Sequence, residues 1–254
     1  MTAQELEAAR SMLSTARRVV VVTGAGMSAE SGVPTFRGED GLWKRHRPEE
    51  LATPGAFRRD PQLVWEWYRW RRGLVAACEP NPGHSALSAF RARKPETSLV
   101  TQNVDGLHQE ADRLEGVGPG VSPVLELHGR LFGDRCRGCH RRTEAHRTPD
   151  PDLKAPLPRC DDCGGLLRPD VVWFGEGLPQ TVLETAVDVA RAADLCLVVG
   201  TSARVQPAAS LPLATTGAGG TIIEVNPSPT PLSARARVAL RGPAGEVLPQ
   251  LLTP

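Results

Sequence analysis

Four cysteines mark themselves out by spacing. Cys136 and Cys139 form one C-x-x-C pair, twenty residues pass, and Cys160 and Cys163 form a second. Two matched pairs supply four thiolates for a tetrahedral ion at Zn–S distances of about 2.3 Å, and a full set of protein ligands predicts a closed, structural zinc site. A redox dithiol is the alternative, although such motifs seldom come in matched pairs. Four thiolates leave the site with net negative charge, which Arg135, Arg137, Arg141 and Arg142 are expected to offset, while His140 and His146 are read as neighbours rather than ligands. The remaining cysteines, Cys78 and Cys196, lie in apolar runs and are expected to be plain buried packing.

A second group of residues suits a phosphate and a sugar. Gly24-Ala25-Gly26 directly follows the run of valines at 19–22, and Ala29 fills the third small position of a G-x-G-x-x-G/A pattern. Small residues there let the backbone approach a pyrophosphate, and the start of a following helix offers unpaired N–H donors. A tight strand-to-helix turn is the bland alternative. No strand ending in an acidic residue follows about twenty positions later, as an ordinary dinucleotide site requires. The loop runs on instead as SAESGVPTFRGEDGLW, and a polar, glycine-rich stretch of that length is more often functional than idle. Gln102, Asn103 and Asp105, in TQNVD, are placed to hydrogen-bond sugar hydroxyls, or else to build a turn. His128 lies between VLEL and Gly129; an imidazole suits a base that takes a proton from a hydroxyl near neutral pH, although a histidine at a strand end is commonly a boundary residue. Gly200-Thr201-Ser202 and Asn226-Pro227-Ser228 are small polar turns that follow LCLVV and TIIEV.

These groups need a scaffold that brings strand ends together. Strand-like runs are predicted at Val19–Val22, Thr97–Thr101, Pro123–Leu127, Asp170–Phe174, Leu195–Val199 and Thr221–Val225. A capping box, Thr2 with Glu5, opens a helix to about Arg17, and further helices are predicted at His84–Arg93, Leu107–Leu114, Thr181–Ala192 and Pro243–Leu252. Alternating strands and helices predict an α/β fold, a Rossmann-like parallel sheet whose carboxyl edge carries the ligand. Two stretches break the rhythm and predict an inserted smaller domain. The larger domain is expected to comprise residues 1–37, 79–129 and 169–254; the smaller takes 38–78, helical, and 130–168, around the cysteines.

Composition excludes several classes. The chain has 254 residues, 40% hydrophobic, with a formal charge of +1. Near-zero charge gives no electrostatic case for nucleic acid or an anionic membrane as the main partner. The charged N-terminus and the shortness of the 19–22 apolar run predict neither an export signal nor a membrane span, so a cytoplasmic protein is expected. The oligomeric state is left open; a monomer is compatible with the sequence.

Taken in order, GAGMSAESGVPTFRG, TQNVDGLH, LHG, the paired C-x-x-C, WFGE, GTS and VNPS resemble the motifs of the sirtuin family across about residues 19–245. The resemblance implies an NAD-dependent protein-lysine deacylase that consumes NAD as a co-substrate. The acyl-lysine oxygen attacks C1′ of the nicotinamide ribose and nicotinamide leaves. His128 then activates a ribose hydroxyl, and water finally releases lysine and an acyl-ADP-ribose. By the same resemblance the NAD contacts are Gly24, Ala25, Gly26, Ser28, Ala29, Glu30 and Pro34, followed by Thr35, Phe36, Arg37 and Trp43. Phe36 resembles the residue that shields the reacting ribose after nicotinamide departs. Gln102, Asn103, Val104 and Asp105 surround the nicotinamide ribose. Gly200, Thr201, Ser202, Asn226, Pro227 and Ser228 take the phosphate and adenosine end, and Ala244, opening the last helix, resembles the adenine contact. His108 is read as a helix-start residue by comparison.

Asp60 and Pro61 start a helix on which Leu63, Trp67, Trp70 and Leu74 are expected to form the core stripe. Tyr68 and Arg71, spaced i,i+3, share a face beside it, which by pattern alone is equally a solvated or cation–π pair. Tyr68 is the sole tyrosine, and Tyr-x-x-Arg with Ala52 upstream resembles the sirtuin subgroup that removes succinyl, malonyl or glutaryl groups. A guanidinium with a phenol suits a terminal carboxylate, and a small Ala52 leaves room for the longer chain. Protein ADP-ribosyl transfer and a non-catalytic NAD or zinc interaction module are the rival functions. Nicotinamide release with an acyl peptide separates the three.

Overall fold

The computed structural model describes residues 1–34, 48–144, 147 and 152–253. In chain order the elements are α1 (Ala3–Thr15), β1 (Val19–Thr23), α2 (Pro48–Leu51), α3 (Pro54–Arg59), α4 (Pro61–Ala76), α5 (Pro82–Arg93), β2 (Thr97–Thr101) and α6 (Leu107–Leu114). They continue with β3 (Leu125–Glu126), β4 (Gly129–Cys136), β5 (Arg142–Glu144), β6 (Leu167–Val171), α7 (Gln180–Ala192), β7 (Leu195–Val199), α8 (Leu211–Gly217), β8 (Thr221–Val225), β9 (Val238–Leu240) and α9 (Ala244–Leu252). Among the described residues the strands form a six-stranded sheet, order β3-β2-β1-β7-β8-β9, and a three-stranded sheet, order β5-β4-β6. Every pairing in the larger sheet is parallel, and both pairings in the smaller one are antiparallel.

The valine run explains the large sheet's two-sided burial. Successive strand side chains point to opposite faces, so Val19 and Val21 join a core with residues of α1, α5 and α9. Val20 and Val22 join another with residues of α7 and α8. A strand covered on both faces has no polar side to show, which is why it reads as continuous apolar sequence. A third core joins Phe57 of α3, Trp65 and Tyr68 of α4, Leu131 of β4 and Trp173. The architecture is a Rossmann-like parallel sheet with a smaller helical and cysteine-bearing unit inserted. No helix of the described residues is long and apolar enough to cross a membrane.

Local signals behave as expected at helix starts. Thr2 and Glu5 make the reciprocal capping box, and Asp60 accepts from the Leu63 amide at 2.9 Å with Pro61 behind it. Three expectations need correction. The run at Asp170–Phe174 is not a strand of the large sheet; the strand is Leu167–Val171 and belongs to the small one. Residues 172–174 leave the sheet because their amides are taken by His128 O, by Glu176 and by Ala52 O. The run at Pro123–Leu127 pairs only over Leu125–Glu126. The stripe on α4 is rotated: Leu63, Trp70 and Leu74 are 42%, 41% and 38% exposed, and of the expected stripe only Trp67 is buried, together with Val64, Tyr68, Arg71 and Val75. Both stripes have helical spacing, and the choice falls to the small unit. Its strand and loop carbonyls need donors and draw in the polar face: Trp65 Nε1 donates to Leu167 O at 3.0 Å, Arg72 Nε to Leu131 O at 2.7 Å and Arg69 to Ala155 O at 2.7 Å.

The loops at the carboxyl edge of β1 and β7 pack backbone to backbone. The Gly24 amide donates to Val199 O at 3.0 Å and the Gly26 amide to Gly200 O at 2.8 Å. Gly200 has φ +60°, and a Cβ there would lie 2.3 Å from Met27 N and 2.5 Å from Gly26 C. Both contacts are backbone and cannot yield. Gly200→Ala should therefore cost more than about 3 kcal/mol in urea unfolding, combining overlap with a left-handed conformation. Gly219→Ala, at φ +95° with nothing within 4 Å of its Cβ, should cost only about 1–2 kcal/mol.

Candidate active site and metal centre

The flush ends of β1, β2, β7 and β8 gather the loops named from the sequence. Gly24–Ser31, Gln102–Asp105, Gly200–Ser202 and Asn226–Ser228 all follow strands of one parallel sheet on its carboxyl side. One detail of the first loop differs from expectation. Within the described residues it continues into two 3-10 turns, Ala25–Met27 and Ala29–Ser31, and not directly into an α-helix. Glu30 pins the second turn to the last helix, its carboxylate accepting from the Gly245 amide at 2.6 Å, next to Ala244. Asn226 Nδ2 closes its own turn on Ser228 O at 2.8 Å. Pro34 is half-buried. Thr35, Phe36, Arg37, Trp43 and His146 lie outside the described residues.

Beneath the loops runs a buried polar network. Asn103 Nδ2 donates to Gly24 O and to Ser28 Oγ, both at 3.1 Å, and the Asn103 amide donates to Thr101 Oγ1 at 3.0 Å. Thr23 Oγ1 donates to Thr101 Oγ1 at 2.8 Å and meets His108 Nε2 at 3.0 Å. His84 lies on Ser28, Nε2 to Oγ at 3.4 Å, with its ring centre 4.9 Å from that of His108. Burial pushes the His84 imidazole down to about 4, and burial, then the charges of His84 and Arg91, lowers His108 well below the usual range. Both rings are thus neutral hydrogen-bonding members at neutral pH. His108 is the second residue of α6 and is buried. His84 was missed in the sequence, where it reads only as part of a helix start. Asp105 is buried, accepts from the Leu107 amide at 2.9 Å, and has its carboxyl pushed up by burial against that hydrogen bond, the Ser28 hydroxyl and Arg71.

His128 has a different environment. It is half-buried, and its Nδ1 lies 2.9 Å from Gln102 O. A carbonyl only accepts, so Nδ1 carries the proton and Nε2 keeps its lone pair for a substrate. Burial lowers the imidazole's pKa, partly offset by the Gln102 carbonyl, so the neutral, basic form prevails at pH 7. Gly129, at φ +76°, lets the chain turn after it; a Cβ there would lie 2.0 Å from Asp170 O. Gln102 itself is held by its amide on Thr23 O at 3.0 Å and by Nε2 on Thr201 Oγ1 at 3.0 Å. The Val104 carbonyl anchors the Leu131 amide at 2.8 Å.

Ala52, Tyr68 and Arg71 are all buried. The Trp67 and Tyr68 rings meet edge-on at 4.7 Å, and the Arg71 guanidinium lies 5.5 Å from the Trp67 ring centre. Burial raises the Tyr68 phenol, with the Arg71 charge opposing it; burial lowers Arg71, opposed by Tyr68 and Asp105. The Arg71 charge therefore acts on both the phenol and Asp105 of the proposed ribose-binding loop.

The cysteines converge at the far end of β4. Cys136, Cys139, Cys160 and Cys163 have all Sγ atoms within 4.8 Å of one another, with Cys136–Cys163 at 3.4 Å and Cys139–Cys160 at 3.6 Å. A tetrahedron with ligands at about 2.3 Å has edges of about 3.8 Å, so the set fits zinc. Backbone amides turn toward the sulfurs: Gly138 and Cys139 donate to Cys136 Sγ at 3.3 and 3.5 Å, which lowers that thiol to about 6, the Cys139 amide leading. The arginines expected to offset this charge have other partners as well, and the charge of Cys160 acts on Arg141. Arg141 pairs with Asp162, Arg142 with Asp170 at 3.2 Å, Arg135 with Asp170 and Glu176 at 3.9 and 3.8 Å, and Arg137 covers the Phe57 ring at 5.7 Å. They have carboxylate or aromatic partners, and amide N–H groups meet the thiolates. Cys196 is buried as expected, but Cys78 is half-exposed, because the turn after α4 leaves it at the surface.

Comparison with known proteins gives concordant results. Residues 24–207 match the Sir2 family. The chain is 50% identical over 240 residues to NAD-dependent protein deacylase 1 of Archaeoglobus fulgidus, covering 94% of each. A Sir2 homologue solved with NAD superposes with a TM-score of 0.86 at 49% identity, covering 97% of this chain and 92% of that one. A Sir2 protein solved with a p53 peptide and NAD+ gives 0.80 at 30% identity, covering 99% and 97%.

The β4 strand begins beside His128 and ends at Cys136, which puts the metal set about 20 Å from the imidazole. Chelation at neutral pH should accordingly lower the unfolding temperature while leaving the pH dependence of residual turnover unchanged. A metal-free protein of full stability, followed by calorimetry, would remove the structural role.

Proposed function

Since the chain belongs to the Sir2 family, we propose that it is a lysine deacylase that prefers acyl groups ending in a carboxylate, succinyl and malonyl above acetyl. That it is an NAD-dependent protein deacylase rests on the family match and on about 50% identity to proteins of that name over nearly the whole chain. Acylated lysine side chains of proteins are its substrates, in keeping with the peptide held by a structural relative. The preference is carried by one observation: Tyr68 and Arg71 lie on the buried side of α4 and not on its solvent side, with Tyr68 in the same core as Ala52. A guanidinium in an aromatic, desolvated setting interacts far more strongly with an anion than one in water, and a carboxylate matches its paired donors.

NAD, when bound, supplies an electrophilic ribose carbon and nicotinamide as the leaving group. The chain's part is to hold and to move a proton. Gly24, Gly26 and Gly200 let the backbone close on the phosphates, and Gln102, Asn103 and Asp105 hold the nicotinamide ribose. His128, with Nδ1 committed to Gln102 O, takes a ribose hydroxyl proton on Nε2. No redox group is required, since no hydride moves.

Two substitutions test this reading. His128→Ala should leave NAD binding by calorimetry nearly intact while single-turnover deacylation falls by about 10²–10⁴-fold. Near-normal turnover would move the base elsewhere. Arg71→Met should lower the ratio of succinyl-peptide to acetyl-peptide kcat/KM by roughly 10–100-fold, the value of a charge-assisted hydrogen bond. An equal loss on both substrates would make the pair structural and leave only the general deacylase.

A further inference from the structure

Trp173 takes no part in the chemistry described so far, yet its side chain hydrogen-bonds a residue of the proposed acyl end. Its indole Nε1 donates to Tyr68 Oη at 2.9 Å, and its side chain is 3% exposed. The ring is clamped. The Arg168 guanidinium carbon lies 3.3 Å from the ring centre, and the Phe57 ring packs at 5.3 Å, tilted by 39°. Glu176 closes the clamp: it accepts from the Trp173 amide at 2.9 Å and takes Arg168 by two hydrogen bonds, at 2.5 and 3.1 Å. Arg168 is fixed further on Val171 O at 2.5 Å. Backbone, ring and guanidinium thus hold one another, and the indole N–H has one direction available. The next residue completes the arrangement, because the Phe174 amide donates to Ala52 O at 2.9 Å. One turn therefore anchors two of the residues proposed to contact the acyl chain.

The polarity of the phenol follows. An indole N–H is a donor and never an acceptor, and the same holds for a guanidinium. Among the described residues the groups that act on the Tyr68 oxygen, Trp173 by its hydrogen bond and Arg71, Arg168 and Arg72 by their charge, are all of this kind. The oxygen accepts from Trp173, and none of these neighbours can receive its proton. That proton is left to another group, which must be an acceptor. A carboxylate accepts from both the phenol and the guanidinium; a methyl group accepts from neither.

We propose that Trp173 is a positioning residue that sets acyl specificity, its indole N–H holding Tyr68 as a donor so that Tyr68 and Arg71 together select a terminal carboxylate. The inference rests on the acyl preference proposed above.

The test uses the full-length enzyme with NAD and matched succinyl and acetyl peptides. Trp173→Phe keeps an aromatic ring in the clamp and removes the donor. It should lower the succinyl-to-acetyl ratio of kcat/KM by about five-fold, the worth of one neutral hydrogen bond, chiefly through the succinyl KM. Trp173→His, whose ring can place an N–H at the corresponding position, should recover part of that ratio. Because Tyr68 is the only tyrosine, the tyrosine Fermi-doublet ratio in the ultraviolet Raman spectrum reports on this phenol alone. It should move toward the donor-only form in Trp173→Phe. In a Tyr68→Phe background, Trp173→Phe should leave the substrate ratio where it was. A wild-type preference for succinyl that Arg71→Met abolishes but Trp173→Phe leaves intact overturns this inference alone. So does an equal effect of Trp173→Phe with and without the Tyr68 hydroxyl. A wild-type enzyme with no preference for succinyl overturns the underlying reading and this inference with it.

Discussion

The contact on which the rest of the site depends is the meeting of two backbones at the carboxyl edge of the large sheet. Strands β1 and β7 are neighbours in register, Thr23 opposite Val199, so the loops that leave them emerge side by side. They can approach to hydrogen-bonding distance only because Gly24, Gly26 and Gly200 carry no side chains there. A Cβ at any of the three would meet backbone or a buried Thr201, and the loops would part. The Asn103 amide would then lose Gly24 O, and Gln102 would lose Thr201. The glycines that a nucleotide needs for close approach are thus also required by the fold itself. A G-x-G signal on its own does not separate these two demands.

The polar groups under that edge are organised by burial as much as by hydrogen bonding. His84 and His108 are in contact with their rings tilted by 58°, buried and kept neutral, since a charged imidazole there would be desolvated without a counter-ion. His128 is treated differently: it is only half-buried, and its single backbone partner fixes the tautomer while leaving the other nitrogen open. Three imidazoles therefore share one neighbourhood with two distinct duties. Two complete a rigid support, and the third presents a lone pair.

The smaller unit is assembled on other terms. It has one aromatic core, built around Trp65, Tyr68, Phe57 and Trp173, and much of its surface toward α4 consists of strand and loop carbonyls. Arginines of α4 meet those carbonyls, which places cations on the buried side of a helix. The four-cysteine set ties the outer end of β4 to the turn at Cys160–Gly165. The proposed acyl pocket lies between the two constructions, with Arg71 acting on both Tyr68 and Asp105.

The sequence alone determined whatever repeats at a fixed local period or depends on residue type. The valine strand, the capped helices, the cysteine pairs and the ordered motifs are of this kind, because each is written in neighbours along the chain. The small sheet was not legible, since β4, β5 and β6 carry many charged residues and the β4–β6 pairing is broken by a register shift between Gly129 and Asp134. The face of α4 was misread for a related reason. Stripes at Leu63 and at Val64 have the same helical period, and the one that turns inward is settled by partners far along the chain, such as Leu131 and Leu167. The arginines beside the cysteines found carboxylates at Asp162, Asp170 and Glu176 that no local pattern pairs with them. Tertiary packing also gave Trp173 its direction, since a clamp built from Arg168, Glu176 and Phe57 exists only once the chain has folded around it.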